Sequence, residues 1–300
     1  MHWKDLKTFA IAVLFIVNTA FAVFIFNHWY TDTYYRNTLI DSSLSVFEAG
    51  GLHVDRSFLE KKKEKPPVYM GTAEFDRFSE IAERLNDKSY LLKKEKNGIY
   101  LIGEQDTFFF GYDFSFAYGT GAFSGKTSSL LLEEGWLLLN EDGQKESSER
   151  IAEKFLQKLL PADKKFEYAV ICLAVYGSGE ERIAVFSQTI DDIPTEHKLY
   201  CLISDGKVIG ADGKISVIAP SERKKAENTG LCNILFEEKA YIDSLEESER
   251  KPSYTVENIS YSYGTYFDEN VFYFIPLCKI TYEDGESRIY NFISGEPYEP

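Results

Sequence analysis

Residues 8–26, TFAIAVLFIVNTAFAVFIF, are the stretch on which the interpretation of the whole chain depends. The run carries no charge, and its only polar residues are Thr8, Asn18 and Thr19. As a helix it would extend about 28 Å, close to the roughly 30 Å hydrocarbon core of a bilayer. The sequence therefore predicts one transmembrane helix near the N-terminus.

The flanks of this run indicate its orientation. Lys4 and Lys7 precede it, and the aromatic-rich residues 27–30 (NHWY) follow it. Lysines favour the cytoplasmic side, and aromatic side chains favour the membrane–water boundary. We expect a cytoplasmic stub at residues 1–7, an anchor at 8–28 in the cell membrane and an extracytoplasmic remainder.

The same run has two alternative interpretations, a cleaved signal peptide and a buried helix of a soluble protein. Ala20-Phe21-Ala22 resembles the small-x-small cleavage site of a secretory signal peptide, but the apolar run continues through residues 23–26. A cleavage region should be short and polar there, so an uncleaved anchor is favoured. A buried helix of a soluble protein is disfavoured, because no polar residues recur at helical spacing.

The composition limits the partners of the chain. The net charge is −15 with a pI near 4.8, which argues against binding nucleic acid or anionic head groups. Apolar residues make up 44% of the chain, enough for a packed core. The residues beyond the anchor leave room for one or two globular domains.

The four cysteines form no C-x-x-C pair. Cys172, Cys201 and Cys278 lie in apolar, strand-like runs. An extracytoplasmic location permits disulfides, yet these surroundings favour buried thiols. The pairing question stays open at this stage.

Residues 29–70 are interpreted as a juxtamembrane helix and a linker. Asn37–Ala49 has apolar residues at helical spacing and ends at Gly50-Gly51. Leu52–Met70 contains a lysine-rich run and Pro66-Pro67, which predicts an extended spacer.

The rest of the chain repeats the order of one helix followed by several strands. Helices are predicted at Ala73–Asn86, from Ser147 or Ser148 to Leu160, and from Ser221 to about Leu245. Strands are predicted at Tyr90–Lys93, Ile99–Gly103, Thr107–Phe116, Ser128–Asn140, Phe166–Tyr176, Arg182–Thr189, Leu199–Ser204, Lys207–Ile209, Val256–Tyr266, Val271–Tyr282 and Ser287–Ile293.

This order predicts an α+β fold of tandem helix-plus-meander units, in which antiparallel sheets are each packed by a helix. Residues 71–145 would form a first α+β unit, and residues 146–300 a C-terminal α+β domain.

No motif predicts catalysis or a cofactor. Residues 119–127 (GTGAFSGKT) resemble a phosphate-binding loop, but Thr120 stands where that motif needs glycine. The following Leu130–Leu132 is predicted as a strand, whereas a phosphate loop must open a helix. A hairpin or bulge is expected instead.

The scattered histidines His2, His28, His53 and His197 lack metal-ligand spacing, and His197 is expected in a polar surface loop. The adjacent carboxylates Asp191-Asp192 and Glu246-Glu247 are expected to be solvated. We therefore expect no enzyme activity, cofactor or metal.

Aromatic residues alternate along the last strands. Period-two spacing directs each such pair to one face of a sheet. Cross-strand packing is favoured over an exposed partner surface, because both faces of these strands are apolar. The residues concerned are Tyr261, Tyr263, Phe272, Phe274, Tyr282 and Tyr290.

Several stretches resemble the YycI-type regulatory proteins of low-GC Gram-positive bacteria. The stub at residues 1–8 (MHWKDLKT) is similar to their x-W-x-x-x-K-T start, and residues 185–194 (VFSQTIDDIP) to an F-x-Q segment ending in proline. Residues 199–208 resemble the following strand with its D-G-K turn. Residues 276–280 and 290–296 resemble the close, with Cys278 where that family usually has Trp and Phe292 where it has Ala.

The resemblance covers the N-terminus and about the last 120 residues, and residues 71–145 match only in element order. It implies a non-enzymatic protein that acts beside a WalK-type sensor histidine kinase controlling cell-wall metabolism. It also implies a sister protein of the YycH type as a partner, with contacts through membrane helices and extracytoplasmic domains.

On that basis Asn18 is the candidate membrane-helix contact, because an amide in hydrocarbon seeks an interhelical hydrogen bond. The alternative is that Asn18 faces lipid and makes no contact with a partner. Two other functions remain open: an extracytoplasmic ligand- or peptide-binding module, and an envelope hydrolase with convergent catalytic groups.

Overall fold

The computed structural model describes residues 3–60, 66–72, 81, 83–85, 90–121, 126–139, 143–161, 167–217, 220–225, 230–268 and 271–298. The described helices are α1 (Trp3–Trp29), a π-helix (Tyr30–Tyr35), α2 (Arg36–Ala49), α3 (Arg56–Glu60), α4 (Thr127–Leu130), α5 (Gly143–Gln157) and α6 (Leu231–Ser244). The described strands are β1 (Leu52–His53), β2 (Val68–Thr72), β3 (Leu91–Glu95), β4 (Gly98–Ile102), β5 (Asp106–Gly111), β6 (Ser115–Thr120), β7 (Leu137–Leu138), β8 (Tyr168–Ser178), β9 (Glu181–Ile190), β10 (Ile193–Ser204), β11 (Lys207–Lys214), β12 (Glu222–Lys224), β13 (Tyr254–Asp268), β14 (Val271–Tyr282) and β15 (Ser287–Asn291).

The chain divides into two compact units, each made of non-contiguous segments. Unit 1 comprises residues 1–64, 230–259 and 280–287, and unit 2 comprises residues 65–229, 260–279 and 288–300. The long strands β13 and β14 contribute residues to both units.

Unit 1 begins with a helical segment that runs without a break from Trp3 to Ala49. The predicted helices at residues 8–26 and at Asn37–Ala49 are confirmed as helices, and Gly50 ends the second of them. Within the described part of the chain, no helix combines the length and the apolarity expected of a membrane-spanning segment.

The core of unit 1 lies between α2 and α6. Phe47 is fully buried, and its ring lies 4.8 Å from that of Phe236 on α6. Leu52 of β1 is also fully buried, and β1 pairs in parallel with the start of β13.

This pairing corrects the prediction that Leu52–Met70 is an extended spacer. The residues just after Gly51 enter a strand pair, Arg56–Glu60 forms helix α3, and Val68–Thr72 forms β2. Burial of Leu52 and Tyr69 removes large apolar side chains from water, which favours order over an extended chain.

Unit 2 is built on a sheet with the strand order β3-β4-β5-β6-β11-β10-β9-β8-β7. All of these neighbours pair antiparallel. Two meanders therefore lie side by side, joined where β6 pairs with β11. The α+β class is confirmed, but the expected separate sheets are corrected, since these two meanders share one sheet.

A second group of strands in unit 2 has the order β12-β2-β14-β13, with β15 on β14. It meets the first sheet through the pair Thr195–Tyr263. Tyr69, Tyr263, Phe272 and Phe274 are buried where this group joins the main core of the unit.

Both faces of the large sheet carry apolar side chains. On one face, Phe186 of β9 packs in a core with Leu156 and Leu159 near the end of α5. On the other face, Ile183 and Val185 pack under Leu130 and Trp136. The helix predicted from Ser147 or Ser148 is confirmed, but it begins earlier, at Gly143, so that Ser148 lies buried inside α5.

Three element predictions are wrong. The expected single strand Thr107–Phe116 is a hairpin of β5 and β6, turned by Phe114 at a φ of 68°. The expected strand Ser128–Asn140 contains helix α4 and the short β7. The third helix begins at Leu231, because residues 222–224 form β12. The predicted helix Ala73–Asn86 lies largely outside the described residues.

Candidate functional site: the apolar surface of helix α1

Helix α1 exposes its apolar side chains around its whole circumference from Val13 onward. Phe15 is 72% exposed, Phe24 69% and Leu14 63%. Large exposed apolar surfaces on proteins mark contacts with lipid or with other proteins. This part of the helix is therefore the most extensive candidate contact surface in unit 1.

One side of α1 carries an open groove of about 630 Å³. The small side chains of Thr19 and Ala20 lie in the middle of the groove, between the bulkier Phe15, Ile16 and Phe24. Small residues let two helix backbones approach closely within a bilayer. The Thr19–Ala20 side is therefore the side of α1 on which a second helix backbone would approach most closely.

The predicted contact residue Asn18 is exposed but does not line this groove. Successive residues of a helix are rotated by about 100° around its axis. The Asn18 side chain therefore points to the side of α1 roughly opposite the midpoint between Thr19 and Ala20. The Thr19 hydroxyl donates to the carbonyl of Phe15 at 2.8 Å, which satisfies its polarity inside the helix. Helix α1 therefore has two distinct exposed sides, the groove side and the Asn18 side.

The other end of the helical segment is fixed in unit 1. The Cys232 thiol of α6 lies 3.3 Å from the hydroxyl of Ser43 on α2. The Arg36 guanidinium donates to the carbonyl of Leu59 at 3.1 Å and to that of Glu60 at 2.9 Å. These contacts and the Phe47–Phe236 pair join the end of the α1–α2 segment to the body of unit 1.

The alternating aromatic residues of the last strands are packed rather than displayed. Tyr263 and Tyr290 are fully buried, and Tyr282 is 3% exposed. The half-buried Tyr261 contacts the ring of Phe292 at 5.1 Å. Packing of these residues is confirmed, and they offer little surface to a partner.

The prediction that His197 lies in a polar surface loop is wrong. His197 is part of β10, is partly buried, and hydrogen-bonds the Thr265 hydroxyl. Burial is the main cause that lowers the pKa of His197 to about 4, and the Lys214 ammonium adds to the shift. His197 is therefore neutral at physiological pH.

Sequence reasoning missed a partly buried polar contact between β2 and the turn that joins β9 to β10. The phenol of Tyr69 donates to the Asp191 carboxylate, which also accepts the backbone N–H of Glu167 at 3.1 Å. Burial, followed by the Asp191 hydrogen bond, raises the pKa of Tyr69. Tyr69 and Asp191 are 122 residues apart in the sequence, so no local signal could reveal this contact.

Helix α4 follows the segment that resembles a phosphate-binding loop. A helix does follow Lys126, so the strand predicted at Leu130–Leu132 is wrong. However, the Asp212 carboxylate accepts the backbone N–H of Ser128 at 2.8 Å and its hydroxyl at 2.5 Å. A carboxylate at this helix start disfavours a phosphate group. Residues 122–125 of the motif lie outside the described residues.

The remaining candidate groups do not converge. Among the described residues, no group of three His, Cys, Asp or Glu side chains could hold a metal ion. Asp191 and Asp192 form the turn between β9 and β10, both at positive φ. Of the three cysteines expected as buried thiols, Cys201 and Cys278 are buried, whereas Cys172 is half-buried.

Residues that carry the resemblance have local structural roles. Asp205 and Gly206 of the D-G-K segment adopt positive φ values of 49° and 72°, as a tight hairpin turn requires. The Asn291 side chain accepts the backbone N–H of Ile293 at 2.9 Å, and its carbonyl accepts that of Gly295. These residues therefore shape turns.

The chain was compared with protein-family models and with curated proteins. No family model matches it, and no curated protein matches it.

Proposed function

We propose that the protein is a membrane-anchored extracytoplasmic regulator of a sensor histidine kinase that controls cell-wall metabolism. It would act through contacts of helix α1 and of its extracytoplasmic part, with a sister protein of the YycH type as a second partner. The observation that carries this proposal is the apolar surface of α1, exposed on all sides and continuous with a helix fixed in unit 1.

The membrane part of the proposal rests on desolvation. The exposed side chains of residues 13–26 would be unfavourable in water, at about 25 cal/mol per Å² of apolar surface. Acyl chains or partner helices would remove that cost. The uncharged length of residues 8–26 and the lysines before it support a single-pass anchor with a cytoplasmic N-terminus.

The regulatory part rests on the unbroken helical path from α1 to α2. A partner helix that shifts or rotates α1 would act directly on α2, since no loop intervenes. Phe47 would pass that movement to α6 through its contact with Phe236. Unit 1 could therefore report the state of the membrane helices.

The proposed anchor is tested by measuring whether the mature protein stays in the membrane and which residue it begins with. We expect the full chain to resist alkaline extraction from membranes and to retain its N-terminal residues. A mature polypeptide that begins at Val23 and is found free of membranes would overturn the proposal.

The partner contact is tested by co-purifying the kinase from native membranes with a matched pair of variants. Ala20 and Ala22 are both exposed but lie on different sides of α1. Ala20→Phe should fill the groove, whereas Ala22→Phe adds the same bulk near the Asn18 side.

If only one of these two variants loses recovery of the kinase, that variant identifies the contact face of α1. Asn18→Leu should reduce recovery if the Asn18 side is that face, and unchanged recovery would remove Asn18 from the mechanism. Full recovery with all three variants would contradict a kinase contact through α1.

A second candidate function is an extracytoplasmic ligand- or peptide-binding module. Unit 2 has an open depression of about 450 Å³ beside β4–β6, where the Tyr100 and Phe109 rings lie 4.8 Å apart. Glu104 and Gln105 at its rim offer hydrogen-bonding groups. Saturable binding of wall-derived peptides or glycans, lost in Phe109→Ala, would favour this function.

A further inference from the structure

Helix α2 has a second apolar side besides the one that it buries. Ile40 and Phe47 are buried against the core of unit 1. Tyr35, at the end of the π-helix, is 52% exposed, and Leu39 and Val46 of α2 are 49% and 45% exposed. Single exposed apolar residues are normal on a protein surface, but these three share one side of one helix.

The exposed side follows the spacing of a helix–helix seam, at steps of four, three, four and three residues. This is the a/d spacing with which one helix packs along another. The small Ser42 lies in the middle, and its hydroxyl donates to the carbonyl of Thr38 at 2.8 Å, so that it requires no hydrogen bond from a partner. The residues of this side, named the α2 stripe, are Tyr35, Leu39, Ser42, Val46 and Ala49.

The π-helix brings the α2 stripe into line with the groove side of α1. In an uninterrupted α-helix, the centre of the stripe would point roughly 100° away from the midpoint between Thr19 and Ala20. A turn closed by i→i+5 hydrogen bonds holds one residue more than an α-helical turn, and Tyr30–Tyr35 is little longer than one such turn. The extra residue takes up about 100° of rotation, so the groove and the stripe lie on one side of the α1–α2 segment.

The contacts of α2 within unit 1 use its other sides. Helix α6 packs on the Phe47 side, and the Arg56 guanidinium beside α3 pairs with the Asp41 carboxylate. At 100° per residue, Phe47 and Asp41 each lie about 120° around α2 from the centre of the stripe. Within the described part of the chain, these contacts therefore leave the stripe exposed.

We propose that the α2 stripe binds an α-helix of the kinase, one that leaves the bilayer beside α1 and continues unbroken along α2. This inference rests on the anchor and the kinase contact put forward under the proposed function. Because α1 passes into α2 without a loop, a helix packed in the groove of α1 emerges beside Tyr35. Covering the stripe as far as Ala49 requires that helix to extend roughly 20 Å further, at 1.5 Å per residue.

Charge favours the kinase over a second copy of this chain as the occupant. The chain has a net charge of −15, so two copies repel each other. The α2 stripe itself carries no charge. It therefore suits an apolar side of a partner helix, and the a/d spacing sets the register of the two helices.

The contact is tested by photo-cross-linking of the full-length protein in native membranes. A benzophenone amino acid placed at Leu39 or at Val46 should capture the kinase. Asn37 and Glu48 are the matched control positions, because both are exposed on α2 and lie about 140–160° around it from the centre of the stripe. The probe at these two positions should capture little kinase.

A pair of charge variants separates the contact from misfolding. With the probe at Val46, Leu39→Asp should lower capture of the kinase several-fold, because it places a charge inside an apolar contact. Asn37→Asp adds the same charge away from the stripe and should leave capture unchanged. A probe at Ala20 in α1 should capture the kinase in both variants, which shows that each still reaches its partner.

The inference is overturned if the stripe and control positions capture the kinase equally, or if Ala20 captures it and the stripe positions do not. Capture of only a second copy, at twice the chain mass of 34.4 kDa, would also overturn it. Loss of kinase recovery with Ala22→Phe alone would place the kinase on the Asn18 side, which contradicts this inference and leaves the proposed function standing. Absence of kinase capture from both α1 and the stripe would contradict the proposed function as well.

Discussion

The phenol of Tyr282 at the end of β14 donates a hydrogen bond to the carboxylate of Glu238 in the middle of α6. Both side chains are buried, with Glu238 fully shielded from solvent and Tyr282 3% exposed. A buried carboxylate must be satisfied by hydrogen bonds, so this contact helps to fix α6 against the strands of unit 1.

We therefore expect Tyr282→Phe to lower the free energy of unfolding by roughly 1.5–3 kcal/mol, the range for hydrogen bonds to charged groups. Chemical denaturation of the full-length protein measures the loss. Tyr266→Phe is the control, since Tyr266 is 55% exposed and should change stability little. Adding Glu238→Gln should recover part of the loss, because a neutral amide costs less to bury. Equal stability of the parent and Tyr282→Phe would contradict this role.

Gln188 lies at the centre of a second buried hydrogen-bonded pair. Its side-chain amide donates to the carbonyl of Ser216 and accepts the N–H of the same residue, both at 2.8 Å. Gln188→Leu removes both hydrogen bonds to the buried backbone of Ser216, so we expect a loss of roughly 2–4 kcal/mol in unfolding free energy.

The control for this prediction is Gln157→Leu, at an exposed position of α5. Thermal unfolding of the two variants against the parent should show a marked decrease in Tm for Gln188→Leu alone. Similar values for both variants would show that the Gln188 pair adds little.

The lowered pKa of His197 should make the stability of the protein depend on pH. Its folded pKa of about 4 lies below the model-peptide value of about 6.5, so the unfolded chain binds more protons between these values. Stability should therefore fall as the pH decreases from about 6.5 to about 4, by up to roughly 3 kcal/mol, and this loss should be complete below that window.

His197→Gln should flatten this part of the stability profile, because glutamine does not titrate there. The measurement is urea unfolding of the parent and the variant at closely spaced pH values. Parallel profiles for the two proteins would assign the acid sensitivity to other groups.

Phe47 offers a way to separate anchoring from signalling. It is fully buried between α2 and α6, and truncating such a side chain costs about 3–5 kcal/mol of stability. We expect Phe47→Ala to retain membrane association and kinase recovery, which depend on α1, while losing the regulatory effect.

The readout for Phe47→Ala is transcription controlled by the kinase, beside the co-purification assay. Glu48→Ala is the matched control, because the neighbouring Glu48 is exposed and lies off the α2 stripe. A regulatory effect that survives Phe47→Ala would show that the α2–α6 contact does not carry it.

The parts of the fold that could be predicted are those with a strong local signal. The alternation in Val271–Tyr282 predicted β14 with its observed bounds, and the D-G-K turn at Asp205-Gly206 occurs as expected. Local periodicity and turn chemistry decide such elements before any long-range packing does.

The errors arise where a local signal was absent or misleading. The β5–β6 turn places Phe114, rather than glycine, at positive φ, and it is stabilised by the Asp113 carboxylate accepting the Ser115 N–H at 3.1 Å. Lys214, His197 and Thr265 meet only through the sheet, so the burial of His197 could not be inferred from its polar neighbours. The groove on α1 was likewise missed, because a search for polar residues directs attention to Asn18 instead.

The π-helix at Tyr30–Tyr35 has a consequence for how the sequence can vary. Because α1 and α2 form one rod, inserting or deleting a single residue there would turn one part by about 100° relative to the other. Such a change would rotate the Thr19–Ala20 side away from the proposed partner helix while leaving the contacts of α2 in unit 1 unchanged. Length between Trp29 and Arg36 should therefore be far less tolerant of change than the identity of the side chains in that interval.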